Sequence, residues 1–357
     1  MRIGILLLIC LFATLISCKK EGCIDPIAIN YNPEAHINNG SCEYFSTTNY
    51  NVITPNGFPN MLIPENNPMT IEGISLGEKL FNDPILSGDE TQSCASCHIQ
   101  SSSFSDPNQF STGINGSQGF RNASAIINAG WNTSLNWNGS ASSLEEQAFE
   151  PIRNPNEMNN TWINVENKLN SDSEYMQLFK QAFRIDYIDS IHVVKAISQF
   201  ERSLISANSK FDKFYRGEAN LTASELNGYA IFNSEKGDCF HCHGTLLFTD
   251  NLFHNNGLDT EPFSDLGLSA VTNNPFDNGK FKSPSLRNIE VSSPYMHDGR
   301  FSSLEEVIDH YDSGGKFSST VDPLMKKLGI GLNLTNQEKI DLIAFLKTLT
   351  DDDYISP

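Results

Sequence analysis

Two pentapeptides of one form, Cys94-Ala95-Ser96-Cys97-His98 and Cys239-Phe240-His241-Cys242-His243, constrain this chain more than any other feature. Two thiols at this spacing reach the two vinyl groups of one porphyrin, and the adjoining histidine then lies beneath the iron. A zinc site would need both pairs to converge without using the histidines in this order. A disulfide redox motif would need a thioredoxin-like context, which the sequence lacks. Two copies in one chain therefore read as two covalently attached c-type haems, with His98 and His243 as proximal ligands.

The remaining cysteines point to export. Arg2 precedes an apolar run from Ile3 to Ile16 that is too short and wrongly flanked for a membrane span. It ends in Leu15-Ile16-Ser17-Cys18, which resembles the bacterial lipobox. The resemblance implies that residues 1–17 are a lipoprotein signal peptide and that Cys18 is diacylated, giving a stable membrane anchor. Lys19-Lys20-Glu21 adds an outer-membrane or cell-surface destination, so the expected location is an anchored lipoprotein facing the periplasm or cell surface. Cys10 leaves with the signal. Cys23 and Cys42 are left over, and an oxidising compartment lets them bridge. The Asn-, Asp- and Gly-rich stretch between them reads as a stapled spacer, and Pro55, Pro59, Pro64 and Pro68 mark an extended linker or arm, so 18–70 form one lipidated spacer and linker.

A net charge of −19 excludes nucleic acid as a partner and would steer in a basic protein surface. With 39% hydrophobic and 10% aromatic residues, the 357-residue chain can bury two cores. The pattern is helical. Val193, Ala196, Ile197, Phe200 and Leu204 keep one helical face, as do Leu342, Phe345, Leu346 and Leu349. Capping-box spacings recur at Ser142/Glu145, Thr222/Glu225, Ser302/Glu305 and Thr335/Glu338. Gly77-Glu78-Lys79-Leu80-Phe81 before the first haem motif is matched by Gly228-Tyr229-Ala230-Ile231-Phe232 before the second. The expected fold is all-α, with two cytochrome c-like haem domains at 71–210 and 211–357 joined by long loops.

Motifs in order over about residues 70–350 resemble the bacterial di-haem cytochrome c peroxidases. They are Leu76-Gly77-Glu78-Lys79-Leu80-Phe81-Asn82-Asp83-Pro84, Phe120-Arg121-Asn122-Ala123, Ser143-Leu144-Glu145-Glu146-Gln147-Ala148, Pro284-Ser285-Leu286-Arg287-Asn288 and Pro294-Tyr295-Met296-His297-Asp298-Gly299, followed by Leu304-Glu305-Glu306-Val307. The resemblance implies that hydrogen peroxide reacts at the N-terminal haem on His98, while the C-terminal haem on His243 relays or stores electrons. It places Trp137 between the haems. It implies one Ca²⁺ between the domains, held by the Asn122 side chain and the main-chain oxygens of Ser292 and Pro294. Gln147, Pro151 and Glu157 take the places lining the family's peroxide pocket, with Glu157 moving a proton between the peroxide oxygens and Gln147 orienting peroxide or water. Arg287 is expected to hold a haem propionate through its bidentate fork. His254 and His297 are expected as supporting hydrogen-bonders.

Two departures refine the subtype. Where many relatives carry a distal histidine ahead of the Arg-Asn pair, this chain has Ile114, and no histidine lies between His98 and His192. The N-terminal haem is therefore expected to be open. Where relatives bind the other haem through methionine, this chain has Tyr311, on one helical face with Leu304, Val307 and Ile308. Tyr311 reads either as a packed core tyrosine or as an axial phenolate favouring ferric iron. Met296, His310 and Met325 are rival ligands. Both departures make the chain similar to the MauG-type enzymes. The leading expectation is a peroxidase drawing electrons from a small cytochrome or similar donor. The alternatives are a MauG-like oxidase acting on a protein or organic substrate, and a non-catalytic di-haem electron carrier.

Overall fold

The computed structural model describes residues 19–355. The expected signal segment, Cys10 and Cys18, the expected acylation position, lie outside the described residues.

One helix pair builds the first core. Thr70 ends an extended stretch, and its hydroxyl accepts from the Gly73 N–H to close the first turn of the Ile71–Asn82 helix. This helix buries Gly73, Leu76, Gly77, Leu80 and Phe81. They meet the Ser190–Ser203 helix, where Val193, Ala196, Ile197 and Phe200 are buried on the expected face. Each fully buried Leu, Ile or Phe contributes about 1.5–3 kcal/mol. Gly77 sets the crossing distance, because a Cβ there would lie 2.0 Å from the Ala196 carbonyl oxygen and 2.9 Å from Phe200 Cβ.

The second core repeats the device. The Ala223–Phe232 helix crosses the Asn336–Lys347 helix. A Cβ on Gly228 would lie 1.9 Å from the Asp341 carbonyl oxygen and 2.9 Å from Phe345 Cβ. Around these crossings the buried apolar residues gather into two clusters, one drawn from Leu76 to Leu204 and the other from Phe211 to Leu349. The C-terminus ties them together: Asp351 accepts from the backbone N–H groups of Ala207 and Asn208, and Tyr354 packs on the first cluster.

The architecture is mostly α. Among the described residues, strand is limited to two two-residue pairs, Glu21–Gly22 parallel to Ile37–Asn38 and Phe253–His254 antiparallel to Phe281–Lys282. Cys23 and Cys42 form a disulfide. The following stretch is extended as expected but is not a free linker. Phe58 and Met61 pack with Trp131 and Leu247, Trp131 Nε1 donates to the Pro59 carbonyl, and buried Asn67 donates to Glu145. Its apolar residues make it a strap laid over both halves.

Two local expectations shift. The boxes at Thr222/Glu225 and Thr335/Glu338 form as anticipated. The other two caps fall one residue later, at Ser143 and Ser303, which accept from the N–H groups of Glu146 and Glu306. Ser142 and Ser302 stand outside the helices, each donating its N–H and hydroxyl to the Glu146 or Glu306 carboxylate. The helical stretch through Leu144, Gln147, Ala148 and Pro151 divides into Leu144–Gln147 and Phe149–Arg153. Pro151 has no N–H to offer the Gln147 carbonyl, so the regular ladder cannot run through.

Candidate functional site

Both pentapeptides open into one continuous cavity of about 840 Å³ between the two cores. Each proximal histidine is fixed from behind. His98 Nδ1 lies 2.9 Å from the Phe104 carbonyl oxygen and His243 Nδ1 lies 2.8 Å from that of Phe248. A carbonyl partner makes Nδ1 the protonated nitrogen and leaves Nε2 as the iron ligand. Burial holds both imidazoles below their ordinary pKa, in the neutral form a metal requires. Cys94, Cys97, Cys239 and Cys242 are unpaired thiols lining the same space. This donor set fits two thioether-linked haems. Cys242, Asp250 and His254 also lie within metal-binding reach of one another. Attachment takes the thiol out of that set, and His254 is held by Asp250 and Asp322 at 2.8 and 2.7 Å.

A second repeat, running through the distal walls, is the main feature missed in the sequence. A β-bridge joins Leu135 to Ala141, and another joins Tyr295 to Phe301. Asn136 and Met296 are both left-handed in backbone, as are Gly139 and Gly299. The helices at Leu144 and Leu304 then begin with the same serine-glutamate cap. In this register Gln147 matches Val307, Trp137 matches His297, and Pro151 matches Tyr311. The matching Ser-Ser-Leu-Glu-Glu runs at 142–146 and 302–306 carried the signal.

Tyr311 lines the cavity, and Asn256 Nδ2 donates to its hydroxyl at 3.2 Å. Burial pushes its phenol up to about 12 in the absence of iron. Asn256 also reaches Met296 Sδ at 3.6 Å, and its carbonyl lies 3.1 Å from His310 Nε2. That contact engages His310 as a donor, whereas Met296 and Met325 line the cavity beside Tyr311. The N-terminal side presents Gln147, Pro151 and Glu157. Asn154 Nδ2 donates to Glu157 Oε1 at 2.7 Å, but burial outweighs this bond and raises the Glu157 pKa above the usual carboxylate value. Ile114 is not among the cavity-lining residues, and its N–H donates to the Glu157 carbonyl.

Trp137 is braced between the halves. Its Nε1 donates to the Asn122 carbonyl at 2.8 Å, and its own carbonyl accepts from the Lys282 N–H at 2.8 Å. Asn122 donates its side-chain amide to the carbonyls of Asp106, Asn108 and Gln109, and its backbone N–H to that of His297. These bonds fix the amide and leave Oδ1 as the end for a cation. Ser292 and Pro294 border the same cavity, and an all-oxygen set suits Ca²⁺. His297 is stacked on Phe281 with centroids 3.6 Å apart.

Arg287, expected at a propionate, lines the cavity but has its donors engaged within the protein. Its guanidinium is buried, grips Asp212 in a bidentate pair at 2.8 and 2.9 Å, and spends its other donors on the Leu246 and Ser206 carbonyls. Asp212→Ala would leave that cation unpaired in the core. The expected loss is about 3–5 kcal/mol, read from the denaturant midpoint of the holoprotein. An unchanged midpoint would show that the pair is not structural. Lys282 also lines the cavity, has no carboxylate partner among the described residues, and is pulled down to about 8 by burial.

Two histidine-anchored attachment motifs, one shared cavity and a bracing tryptophan define a di-haem c-type oxidoreductase. The di-haem cytochrome c peroxidase profile matches residues 71–220. The chain is 38% identical over 294 residues to the methylamine utilization protein MauG of Methylorubrum extorquens, covering 80% of each. It is 35% identical over 294 residues to cytochrome c551 peroxidase of Nitrosomonas europaea, covering 81% of this chain and 82% of that one. The crystal structure of a MauG-like protein associated with microbial copper homeostasis superposes with a TM-score of 0.81 at 37% identity, covering 86% of this chain and 97% of that one. This chain belongs to the di-haem cytochrome c peroxidase family.

Proposed function

We propose that this protein reduces hydrogen peroxide on the His98 side of the cavity, with electrons relayed past Trp137 from the His243 side. The observation that carries the reading is Pro151 standing in the repeat position of Tyr311, beside a carboxyl that burial keeps protonatable. The haem irons supply the redox chemistry when bound. The chain's residues do the rest: Gln147 orients peroxide through its amide, and Glu157 takes a proton from the inner oxygen and returns it to the outer one. Lys282 pairs with a haem carboxylate in the role expected of Arg287. Asn122, Ser292 and Pro294 hold Ca²⁺ and with it the seam around Trp137. Cys18 anchors the protein to a membrane facing the periplasm or cell surface, and the donor is a small cytochrome or a similar protein.

Tyr311 supports a second reading, a MauG-like oxidation of a protein or organic substrate. A phenolate on the His243 centre favours storing oxidising equivalents over passing electrons quickly. Tyr311→Phe is expected to change the spectrum of the C-terminal haem alone. No change would remove the phenolate assignment and with it this second reading.

The test of the main proposal is stoichiometric peroxide added to the fully oxidised protein while both haem spectra are followed. An immediate change is expected. If nothing happens until one haem has been reduced, some residue closes the N-terminal site and the open-pocket reading fails.

A further inference from the structure

The paired helix crossings expose a residue that neither the peroxide pocket nor the relay uses. Gly77 meets Ala196 and Phe200 as Gly228 meets Asp341 and Phe345. In that register Ile197 corresponds to Leu342, and Glu201 corresponds to Leu346. All four border the cavity. The C-terminal half thus presents two leucines at this wall, whereas the N-terminal half presents isoleucine and a carboxylic acid.

Glu201 is only 6% exposed, and its Oε2 has no hydrogen-bond partner among the described residues. An ionised carboxylate left in that state is strongly disfavoured. The charged groups facing it relieve this only in part. Arg202, next on the same helix, is committed to Glu145 by two bonds of 2.7 Å. Glu145 itself adds like charge from the Leu144–Gln147 helix. The Ile71–Asn82 helix buries only Gly73, Leu76, Gly77, Leu80 and Phe81. Cys94, which couples to Glu201 electrostatically, is neutral as a thioether, and Glu157 lines the same cavity. Burial pushes Glu201 up to about 8, so it carries a proton at neutral pH.

We propose that Glu201 is a redox-linked proton site of the N-terminal haem, holding a proton while the iron is reduced and releasing it when the iron is oxidised. The balance is one electron lost from the iron to the titrating oxidant and one proton lost from the Glu201 carboxyl to water, so the net charge of the buried site is unchanged. The sign follows from electrostatics: added positive charge on the iron favours the carboxylate and lowers its pKa. The Leu346 position in the C-terminal half has no such group. The inference rests on haem attachment and not on peroxide chemistry, and the absorption spectrum of the same sample reports attachment separately.

The experiment is a potentiometric titration of the holoprotein with ferricyanide and dithionite between about pH 6 and 9, resolving the two haems by their spectra. The N-terminal potential is expected to fall as pH rises, approaching a tenfold change in equilibrium per pH unit, which is about 59 mV for one electron. Glu201→Leu, which copies Leu346, should flatten that slope and leave the C-terminal haem's slope as it was. A slope retained in Glu201→Leu overturns the proposal. Because a core substitution can prevent maturation, the wild-type protein supplies a second reading. Its oxidised-minus-reduced infrared spectrum should lose the carbonyl stretch of a protonated carboxylic acid, and a spectrum without that loss also overturns it.

Discussion

Glu157→Gln is expected to slow the reaction of the oxidised protein with peroxide by about 10²–10⁴-fold while leaving both haem spectra in place. Gln147, Pro151 and Glu157 line the N-terminal side of the cavity and the sequence has no histidine between His98 and His192, so the proton that leaves the inner peroxide oxygen needs another acceptor. Gln147 can donate and accept hydrogen bonds but cannot exchange a proton at neutral pH. Glu157 can. Asn154 holds its Oε1 at 2.7 Å, leaving Oε2 for the substrate, and burial raises its pKa toward the working range of a proton shuttle. Glutamine keeps the volume and the acceptor for Asn154, so the loss isolates proton transfer from packing. Rapid mixing with peroxide gives the rate directly. A Glu157→Gln rate within about threefold of wild type would place the shuttle elsewhere, and the raised pKa would then report burial alone.

Much of the site was legible because its chemistry is written in contiguous residues. A Cys-x-x-Cys-His motif names the attachment thiols and the iron ligand together, and the carbonyls behind His98 and His243 only fix the tautomer. The crossing helices were legible for a similar reason. Gly77 and Gly228 each stand a fixed distance before a cavity-facing phenylalanine, Phe81 or Phe232, and helical periodicity puts both on one face. Caps were legible to within one residue. Ser142 and Ser143 are chemically alike, and which one ends the extended stretch depends on where Leu144 becomes buried.

The Arg287–Asp212 pair was not legible because sequence shows what a guanidinium can bind, not which carboxylate reaches it first. Asp212 lies far away in the chain and is brought against Arg287 only by the packing of the Lys210–Tyr215 helix. Glu201 was invisible for a related reason. Between buried Phe200 and paired Arg202, a glutamate reads as a solvated position on an amphipathic helix. Only the cavity beside it and the leucine at its counterpart reveal its setting. The contacts of the strap were not legible because prolines dominate its composition, while those contacts are set by Phe58, Met61 and Asn67.

Pro151→Tyr is expected to close the N-terminal centre and nearly abolish the direct reaction with peroxide. The repeat sets Pro151 and Tyr311 equally far beyond matching serine caps, Pro151 on the second of two short helices and Tyr311 on one continuous helix, and both line one cavity. A phenol at 151 would point where the Tyr311 phenol points in the other half. Tyrosine also restores the N–H that proline withholds, removing one reason the helix divides at Ala148. If the new phenolate binds iron, peroxide must displace it, and a ligand bond worth about 3 kcal/mol already slows the reaction on the order of 10²-fold. Pro151→Ala separates the two effects: it restores the donor but offers no ligand, so its pocket should stay reactive. The N-terminal haem of Pro151→Tyr should also acquire spectral features of the C-terminal one. A variant that reacts as fast as Pro151→Ala, with its N-terminal spectrum unchanged, would show that the two helices do not present equivalent positions to their haems. The assignment of Tyr311 as an axial ligand would then lose its structural support.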